Sequence, residues 1–103
     1  MGHKVVWSPE AVDDLESIAE YIARDSRYYA GAVVEKVLEV ARNIAKFPQA
    51  GRIVPELGEE TLREHFVYSY RLLYRIKPER ILIVAVIHGR RLMASFGQRF
   101  EKL

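Results

Sequence analysis

Apolar residues in the first half of the chain recur at helical spacing along two successive segments. The first stripe consists of Ala11, Leu15, Ile18, Ala19 and Ile22, and the second of Ala30, Val33, Val34, Val37, Ala41 and Ile44, with Leu38 and Ala45 beside it. Such spacing places each set on one face of an α-helix. The pattern therefore predicts two amphipathic helices in succession.

Residues that begin and end helices stand at the borders of these two stripes. Ser8 is a predicted cap, and Pro9 suits the first helical position. Ser26 is the predicted cap of the second helix, which is expected to end at Phe47 because Pro48 disfavours helical geometry in the residue before it. The short break between the helices predicts an antiparallel αα-hairpin.

The pattern changes to that of strands in the second half of the chain. Residues 62–67 form a strand candidate, residues 70–77 alternate between two faces, and residues 81–87 are apolar at every position. An unbroken apolar run predicts a central strand covered on both faces. Residues 49–60 contain two glycines and a proline and are predicted to be a connecting loop.

The order of elements predicts an α+β fold. A short N-terminal strand at residues 4–7 precedes the αα-hairpin, and a three-stranded antiparallel meander follows it. The helices are expected to pack on one face of this small sheet, with Arg71 and Arg75 on the other. Gly31 is expected to allow a close approach of the helices. At 103 residues, the chain 1–103 is predicted to be a single domain.

Composition narrows the functional classes. The chain has no cysteine, which excludes disulfides, thiolate catalysis and cysteine zinc sites and fits a cytoplasmic protein. The longest apolar run is too short to span a bilayer, so no membrane association is expected. The acidic residues of the first helix (Asp13, Asp14, Glu16 and Glu20) lack metal-ligand spacing and are expected to be a solvated face. Neither a metal nor a cofactor is expected.

Positive charge is concentrated in the second half. Residues 51–103 hold 10 Lys and Arg against 6 Asp and Glu, whereas residues 1–50 hold 6 against 8. The predicted sheet carries a set of basic and histidine side chains, and clustered cations indicate an anionic partner such as nucleic acid. These candidate target- or nucleic-acid-binding residues are Arg63, Arg71, Arg75, His88, Arg90 and Arg91.

Two interpretations of the histidine and its surroundings remain open. His88 is suited to proton transfer at neutral pH, and Arg71, Arg75 and Arg91 would stabilise phosphate charge in a nuclease. Alternatively, His88 ends a buried strand as a structural residue. Glu64 is either a general base or, as the favoured interpretation, the ion-pair partner of Arg71 or Arg75 across a hairpin.

The chain resembles the RelE/ParE superfamily of bacterial toxins, and most closely its ParE-like branch, which includes plasmid stabilisation proteins. The resemblance spans nearly the whole chain and rests on short segments in a fixed order. These are residues 7–11, Asp14-Leu15, Ile18, Tyr21-Ile22, Phe47-Pro48, Gly51-Arg52, Pro55-Glu56-Leu57, Arg63-Glu64, Tyr70-Arg71, Tyr74 and His88-Gly89-Arg90-Arg91. The family fold, an αα-hairpin followed by a small meander, agrees with the pattern.

This resemblance implies the toxin of a type II toxin–antitoxin module, neutralised by a cognate antitoxin that wraps it. ParE-like toxins inhibit DNA gyrase by stabilising its cleaved DNA complex, and promoter DNA is contacted only through the antitoxin complex. RelE-like relatives instead cut mRNA on the ribosome, at positions that correspond to the region of Arg63, Arg71, Arg75 and His88. An inactive relative that still binds antitoxin is a third alternative.

One departure from the nuclease pattern favours gyrase inhibition over catalysis. Some ribosomal nucleases of the superfamily have a His-Tyr pair, or an arginine with a nearby tyrosine, near the last strand. Here Gly89 follows His88, and residues 90–98 contain no tyrosine. A catalyst built here would depend on His88 and arginine alone, so we expect a binding toxin.

Overall fold

A computed structural model describes residues 3–90, and the helices lie where the capping residues predict them. Helix α1 spans Pro9–Ala23 and helix α2 spans Arg27–Lys46. The Ser8 hydroxyl accepts a hydrogen bond from the Ala11 N–H at 3.1 Å, and the Ser26 hydroxyl accepts one from the Tyr29 N–H at 3.0 Å. Phe47 terminates α2 before Pro48, as predicted. No helix within residues 3–90 is both long and apolar enough to cross a bilayer.

The strands within residues 3–90 form one mixed five-stranded sheet with the order β1-β5-β4-β3-β2. Their bounds are Lys4–Trp7 for β1, Arg52–Ile53 for β2, Leu62–Val67 for β3, Tyr70–Ile76 for β4 and Arg80–His88 for β5. The predicted α+β class and the antiparallel meander β3-β4-β5 are confirmed. The two-residue strand β2 lies inside the predicted loop and is too short to leave a sequence pattern.

The N-terminal strand adds to the meander from the far side of β5. Strand β1 pairs with β5 in parallel, with Val5 opposite Ile81 and Trp7 opposite Ile83. A parallel pair requires a crossover connection. The αα-hairpin lies in sequence between β1 and the meander, and it packs on the sheet. The two ends of the described chain are thus brought together in one sheet.

Most of the predicted inner stripe of α2 is buried. Val33, Val37, Ala41 and Ile44 lie in the core between the helices and the sheet, together with Val40, which the predicted stripe omitted, and Ala30 is also buried. Leu38, expected beside the stripe, is 36% exposed. The expectation for Gly31 is wrong, because that residue is exposed and a Cβ there would meet nothing within 4 Å.

Helix α1 and its capping residue form hydrogen bonds to the part of β5 that lies beyond the end of β1. Beyond Ile83, β5 has no strand partner on that side within residues 3–90, and the register with β4 shifts between Leu73 and Tyr74. The Ser8 hydroxyl donates to the Val84 carbonyl at 3.3 Å, and the Asp14 carboxylate accepts from the Val86 N–H at 3.0 Å. The expectation that Asp14 belongs to a solvated face is therefore wrong, since its side chain stabilises an irregular strand edge.

A second, smaller core covers the sheet face opposite the helices. It consists of Val54, Leu62, Leu73, Val84, Ala85 and Ile87. Val54 comes from the segment between β2 and β3, so this segment folds over part of the face that carries Arg71 and Arg75. That cover decides how much of each arginine solvent can reach.

Candidate functional site

The basic residues that were predicted to share one surface lie in different environments in the structure. Arg71 is buried and Arg75 is half-buried, both on β4, while Arg63 is half-buried on β3. His88 and Arg90 are exposed at the end of β5. Arg91 lies outside the described residues. Two separate regions result, an ion network on the sheet face and a cleft at the end of β5.

The ion network is centred on Arg71, whose guanidinium is held by two carboxylates. Its Nε donates to Glu64 at 2.7 Å, and one terminal nitrogen also contacts that carboxylate. The two terminal nitrogens donate to the two oxygens of Glu56, each at 2.9 Å. Arg71 is 4% exposed and Glu64 is 1% exposed. The predicted pairing of Glu64 with Arg71 is therefore confirmed.

Arg52 completes the network from strand β2. Its Nε donates to the second oxygen of Glu64 at 2.5 Å, and its guanidinium carbon lies 5.4 Å from the centre of the Phe66 ring. Glu64 thus joins a buried and an exposed arginine. Buried carboxylates are retained only when such bonds compensate the lost hydration.

Tyr74 anchors the loop that leads into β2. Its hydroxyl donates to the Pro48 carbonyl at 2.6 Å and accepts from the Gly51 N–H at 2.9 Å. Burial raises the pKa of the Tyr74 hydroxyl, so it stays protonated and able to donate. This contact places Arg52 opposite Glu64.

The ion network predicts that Glu56 contributes to the free energy of unfolding and that this contribution depends on pH. The hydrogen bond from Arg71 lowers the pKa of Glu56 below its ordinary value of 4.5. The stabilisation is therefore complete above that value and is lost as pH falls through the folded-state pKa. Because this carboxylate is 40% exposed, water screens the pair and the contribution is about 0.5–1 kcal/mol.

We expect Glu56→Gln to lower the free energy of unfolding at neutral pH, measured by urea denaturation, and the difference from wild type to shrink as the pH falls below 4.5. Glu60→Gln is the matched control, since its carboxylate is exposed and makes no ion pair within residues 3–90. If the difference in free energy of unfolding between wild type and Glu56→Gln stays constant with pH, the ion pair between Glu56 and Arg71 does not make this contribution.

The other two sheet arginines are also engaged. Arg63 donates to the backbone carbonyls of Glu60 at 2.8 Å and Gly51 at 3.0 Å. Arg75 donates to the Thr61 hydroxyl at 3.0 Å and to Glu59 at 3.3 Å, while its buried Nε has no partner within residues 3–90. Both side chains fasten the segment between β2 and β3 to the sheet.

At the end of β5, His88 acquires a tyrosine neighbour from the adjacent strand. Tyr70 and His88 are opposite each other in the β4–β5 register, and their ring centres are 5.8 Å apart in an edge-to-face arrangement. The His88 Nδ1 lies 3.2 Å from the Arg90 N–H, which donates to it. The prediction from sequence considered only tyrosines that follow His88 and therefore missed this pair. The register of the β4–β5 hairpin would have predicted it, because that register places Tyr70 opposite His88.

His88 and Tyr70 form one wall of an open cleft of about 760 Å³. The cleft lies between the α1–α2 turn and the β3–β4 turn, and we call it the tyrosine cleft. Its aromatic and ionisable lining consists of Tyr21, Asp25, Tyr29, Tyr68, Tyr70 and His88. Apart from His88, none of these residues was a candidate in the sequence analysis, because the tyrosines are spread over four elements and turns.

No group of three or more His, Asp or Glu side chains within residues 3–90 is placed to hold a metal ion. The tyrosine cleft contains groups that can bind by stacking, hydrogen bonding and charge. The ion network contains groups whose hydrogen bonds are directed at one another.

Comparison with known proteins gives concordant matches. The family described as "ParE toxin of type II toxin-antitoxin system, parDE" matches residues 5–93. Toxin RelE2 of Caulobacter vibrioides is 32% identical over 90 residues, which cover 86% of this chain and 98% of that protein.

Two solved structures share the architecture. A chain of the chromosomal ParDE TA system from P. aeruginosa superposes with a TM-score of 0.69 at 18% identity, over 84% of this chain and 95% of that one. A chain of the toxin–antitoxin complex RelBE2 from Mycobacterium tuberculosis superposes with a TM-score of 0.60 at 25% identity, over 85% and 99%.

Proposed function

Because this chain belongs to the ParE toxin family of type II toxin–antitoxin systems, we propose that it is the toxin of such a pair and acts by binding DNA gyrase. In this proposal the toxin stabilises the cleaved gyrase–DNA complex and breaks no bond itself. It works in the cytoplasm, where its target is, and a cognate antitoxin neutralises it.

The proposal rests mainly on the ion network, in which the charged groups of Glu64 and Arg71 are buried and hydrogen-bonded to other residues of the network. A ribonuclease needs an accessible base for the 2′-hydroxyl and cations directed at the phosphate. Glu64 and Arg71 have suitable chemistry, but both are buried and their hydrogen bonds go to each other and to Glu56 and Arg52. Substrate would have to displace these bonds. The geometry supports a scaffold role for them.

Target contact is assigned to the exposed end of β5. His88 and Arg90 are exposed there, and Arg91 follows in sequence. Exposed charges steer association and contribute to affinity at the rim of an interface. Arg63 and Arg75 hold the neighbouring segment in place, so the proposed contact residues narrow to His88, Arg90 and Arg91.

The test is a cleavage assay with purified gyrase and supercoiled plasmid. The toxin is expected to produce linear DNA, seen after protein digestion, only when gyrase is present. Arg90→Glu is expected to reduce the linear product by about fivefold or more. Arg42→Glu is the matched control because Arg42 is an exposed arginine of α2. Absence of gyrase-dependent linear DNA from folded toxin would refute the proposal.

A second candidate function, mRNA cleavage on the ribosome, is favoured by the contact between Tyr70 and His88. The two side chains could share acid–base roles without the buried network. Primer extension on translated mRNA distinguishes the two functions. New cleavage sites that disappear with His88→Ala would support the nuclease, whereas no cleavage alongside a positive gyrase assay would exclude it.

The cognate antitoxin is the proposed physiological partner, and one matched structure is that of a toxin–antitoxin complex. We propose that it covers the apolar groove that Val12, Leu15, Ala19, Val34 and Leu38 of the helix pair form together with Trp7 of β1. Contact with promoter DNA is assigned to the complex and not to this chain alone. Growth arrest on expression of the chain, relieved by co-expression of its antitoxin, separates an active toxin from an inactive relative.

A further inference from the structure

The tyrosine cleft shares His88 with the proposed gyrase contact, but neither that proposal nor the ion network explains its tyrosines. Tyr21, Tyr29 and Tyr68 remain 60–64% exposed at its edges. Large exposed rings gathered around a concavity are typical of interaction sites, because tyrosine offers apolar area and a hydrogen-bonding group at low entropic cost. The cleft therefore has the shape and lining of a binding pocket.

The charge of the lining defines the class of ligand. Asp25 contributes a carboxylate, and within residues 3–90 the lining contains neither lysine nor arginine. The Asp25 side chain has no ion-pair partner within that part of the chain. Arg24 and Arg27 are its near neighbours in sequence but do not line the cleft. The faces of tyrosine rings attract cations, and so does an unpaired carboxylate.

We propose that the tyrosine cleft binds an arginine or lysine side chain of a protein partner. Arginine fits better, since its planar guanidinium stacks on aromatic faces while donating to a carboxylate. Single-stranded nucleic acid also stacks on tyrosine, but its sites need cations for the phosphates. A cleft with a carboxylate and without lysine or arginine opposes a phosphate backbone.

The backbone at Tyr68 supplies an independent observation. Tyr68 adopts a left-handed conformation with φ of 55° in the turn between β3 and β4. Glycine and asparagine occupy this conformation with less strain than a bulky residue. The turn nevertheless presents an aromatic ring, 62% exposed, to the cleft. A ligand-binding role accounts for a side chain that the turn itself does not need.

The experiment titrates isotopically labelled full-length protein with the peptide acetyl-Ala-Arg-Ala-amide and follows the backbone amide signals by NMR. The uncharged analogue with citrulline in place of arginine is the ligand control. The arginine peptide is expected to shift the amides around Asp25, Tyr68 and His88. We expect it to bind about three- to tenfold more tightly than the citrulline peptide.

Variants separate binding from stability. Asp25→Asn and Tyr68→Asn are each expected to weaken binding about threefold or more, and Tyr68→Asn is expected to leave Tm unchanged or raise it. Asp13→Asn and Tyr28→Leu are matched controls, since both residues are exposed and lie outside the cleft. Their affinity is expected to equal that of wild type.

Three outcomes would overturn the proposal. The first is equal binding of the arginine and citrulline peptides, and the second is unchanged affinity in Asp25→Asn. The third is tighter binding of an oligothymidylate in the same cleft, which would make it a nucleic-acid site. None of these outcomes bears on the gyrase assay, so the two proposals stand or fall separately.

Discussion

Replacement of Glu64 by glutamine is expected to lower the free energy of unfolding by about 3–5 kcal/mol. Glutamine keeps the shape of the side chain but removes its charge, so Arg71 keeps only Glu56 as its anionic partner. Arg71 is 4% exposed, so the folded structure largely excludes water from its guanidinium. A substitution that leaves a buried guanidinium partly without a counter-charge is among the most destabilising single changes in a folded domain. Urea denaturation at neutral pH measures the loss.

The matched control for this variant is Glu59→Gln. Glu59 also pairs with an arginine of β4, Arg75, but its side chain is 56% exposed, so we expect a loss below about 1 kcal/mol. The double variant Glu64→Leu with Arg71→Met tests the cause, because removal of both charges is expected to cost less than Glu64→Gln alone. A loss below about 1 kcal/mol for Glu64→Gln would mean that the network is not a stabilising element.

Replacement of Gly51 by alanine is expected to cost about 1–3 kcal/mol, through overpacking. An added Cβ would lie 2.5 Å from the Glu64 carbonyl oxygen and 2.6 Å from the Tyr74 hydroxyl. The carbonyl belongs to the backbone of β3, and the hydroxyl is bonded to Pro48 and Gly51, so neither can move freely. The φ of Gly51 is −80°, which any residue adopts. The requirement for glycine is therefore one of space.

Gly31→Ala is the control for this prediction, with an expected effect of opposite sign. Gly31 lies within α2, is exposed, and has open space where a Cβ would be. Alanine there is expected to raise the free energy of unfolding by about 0.5–1 kcal/mol, because glycine loses more backbone entropy in a helix. Chemical denaturation of both variants checks the pair of predictions. Equal effects would show that the close approach at Gly51 is not structurally important.

Gly51 and Gly31 show why packing contacts are harder to predict from the sequence than helices and strands. Both glycines are equally visible in the chain, yet the helical pattern led to a predicted packing role for Gly31 and not for Gly51. The close approach at Gly51 depends on Tyr74, 23 residues away, and no local pattern reveals it. The same holds for Arg71, whose partner Glu56 lies 15 residues away in a predicted loop.

Functional inference depends on the same long-range contacts. The absence of tyrosine after His88 was a reason to expect binding over catalysis, and Tyr70 from β4 removes that reason. The burial of Glu64 and Arg71 supplies a different one. The expected binding toxin thus remains the proposal, on grounds that the sequence did not contain.

The sequence by itself determined the α+β class, the two helices with their serine caps, the end of α2 before Pro48 and the order of the meander strands. These features depend on local periodicity, backbone preference and short turns, all of which are properties of adjacent residues. Only the tertiary structure decided that Glu64 pairs with Arg71 and not with Arg75, that Glu56 also binds Arg71, that His88 contacts Tyr70, and that tyrosines from separate elements surround one cleft. Such contacts depend on strand register and on which segment covers each face of the sheet, and burial then decides whether a charged group is a scaffold or is free to bind.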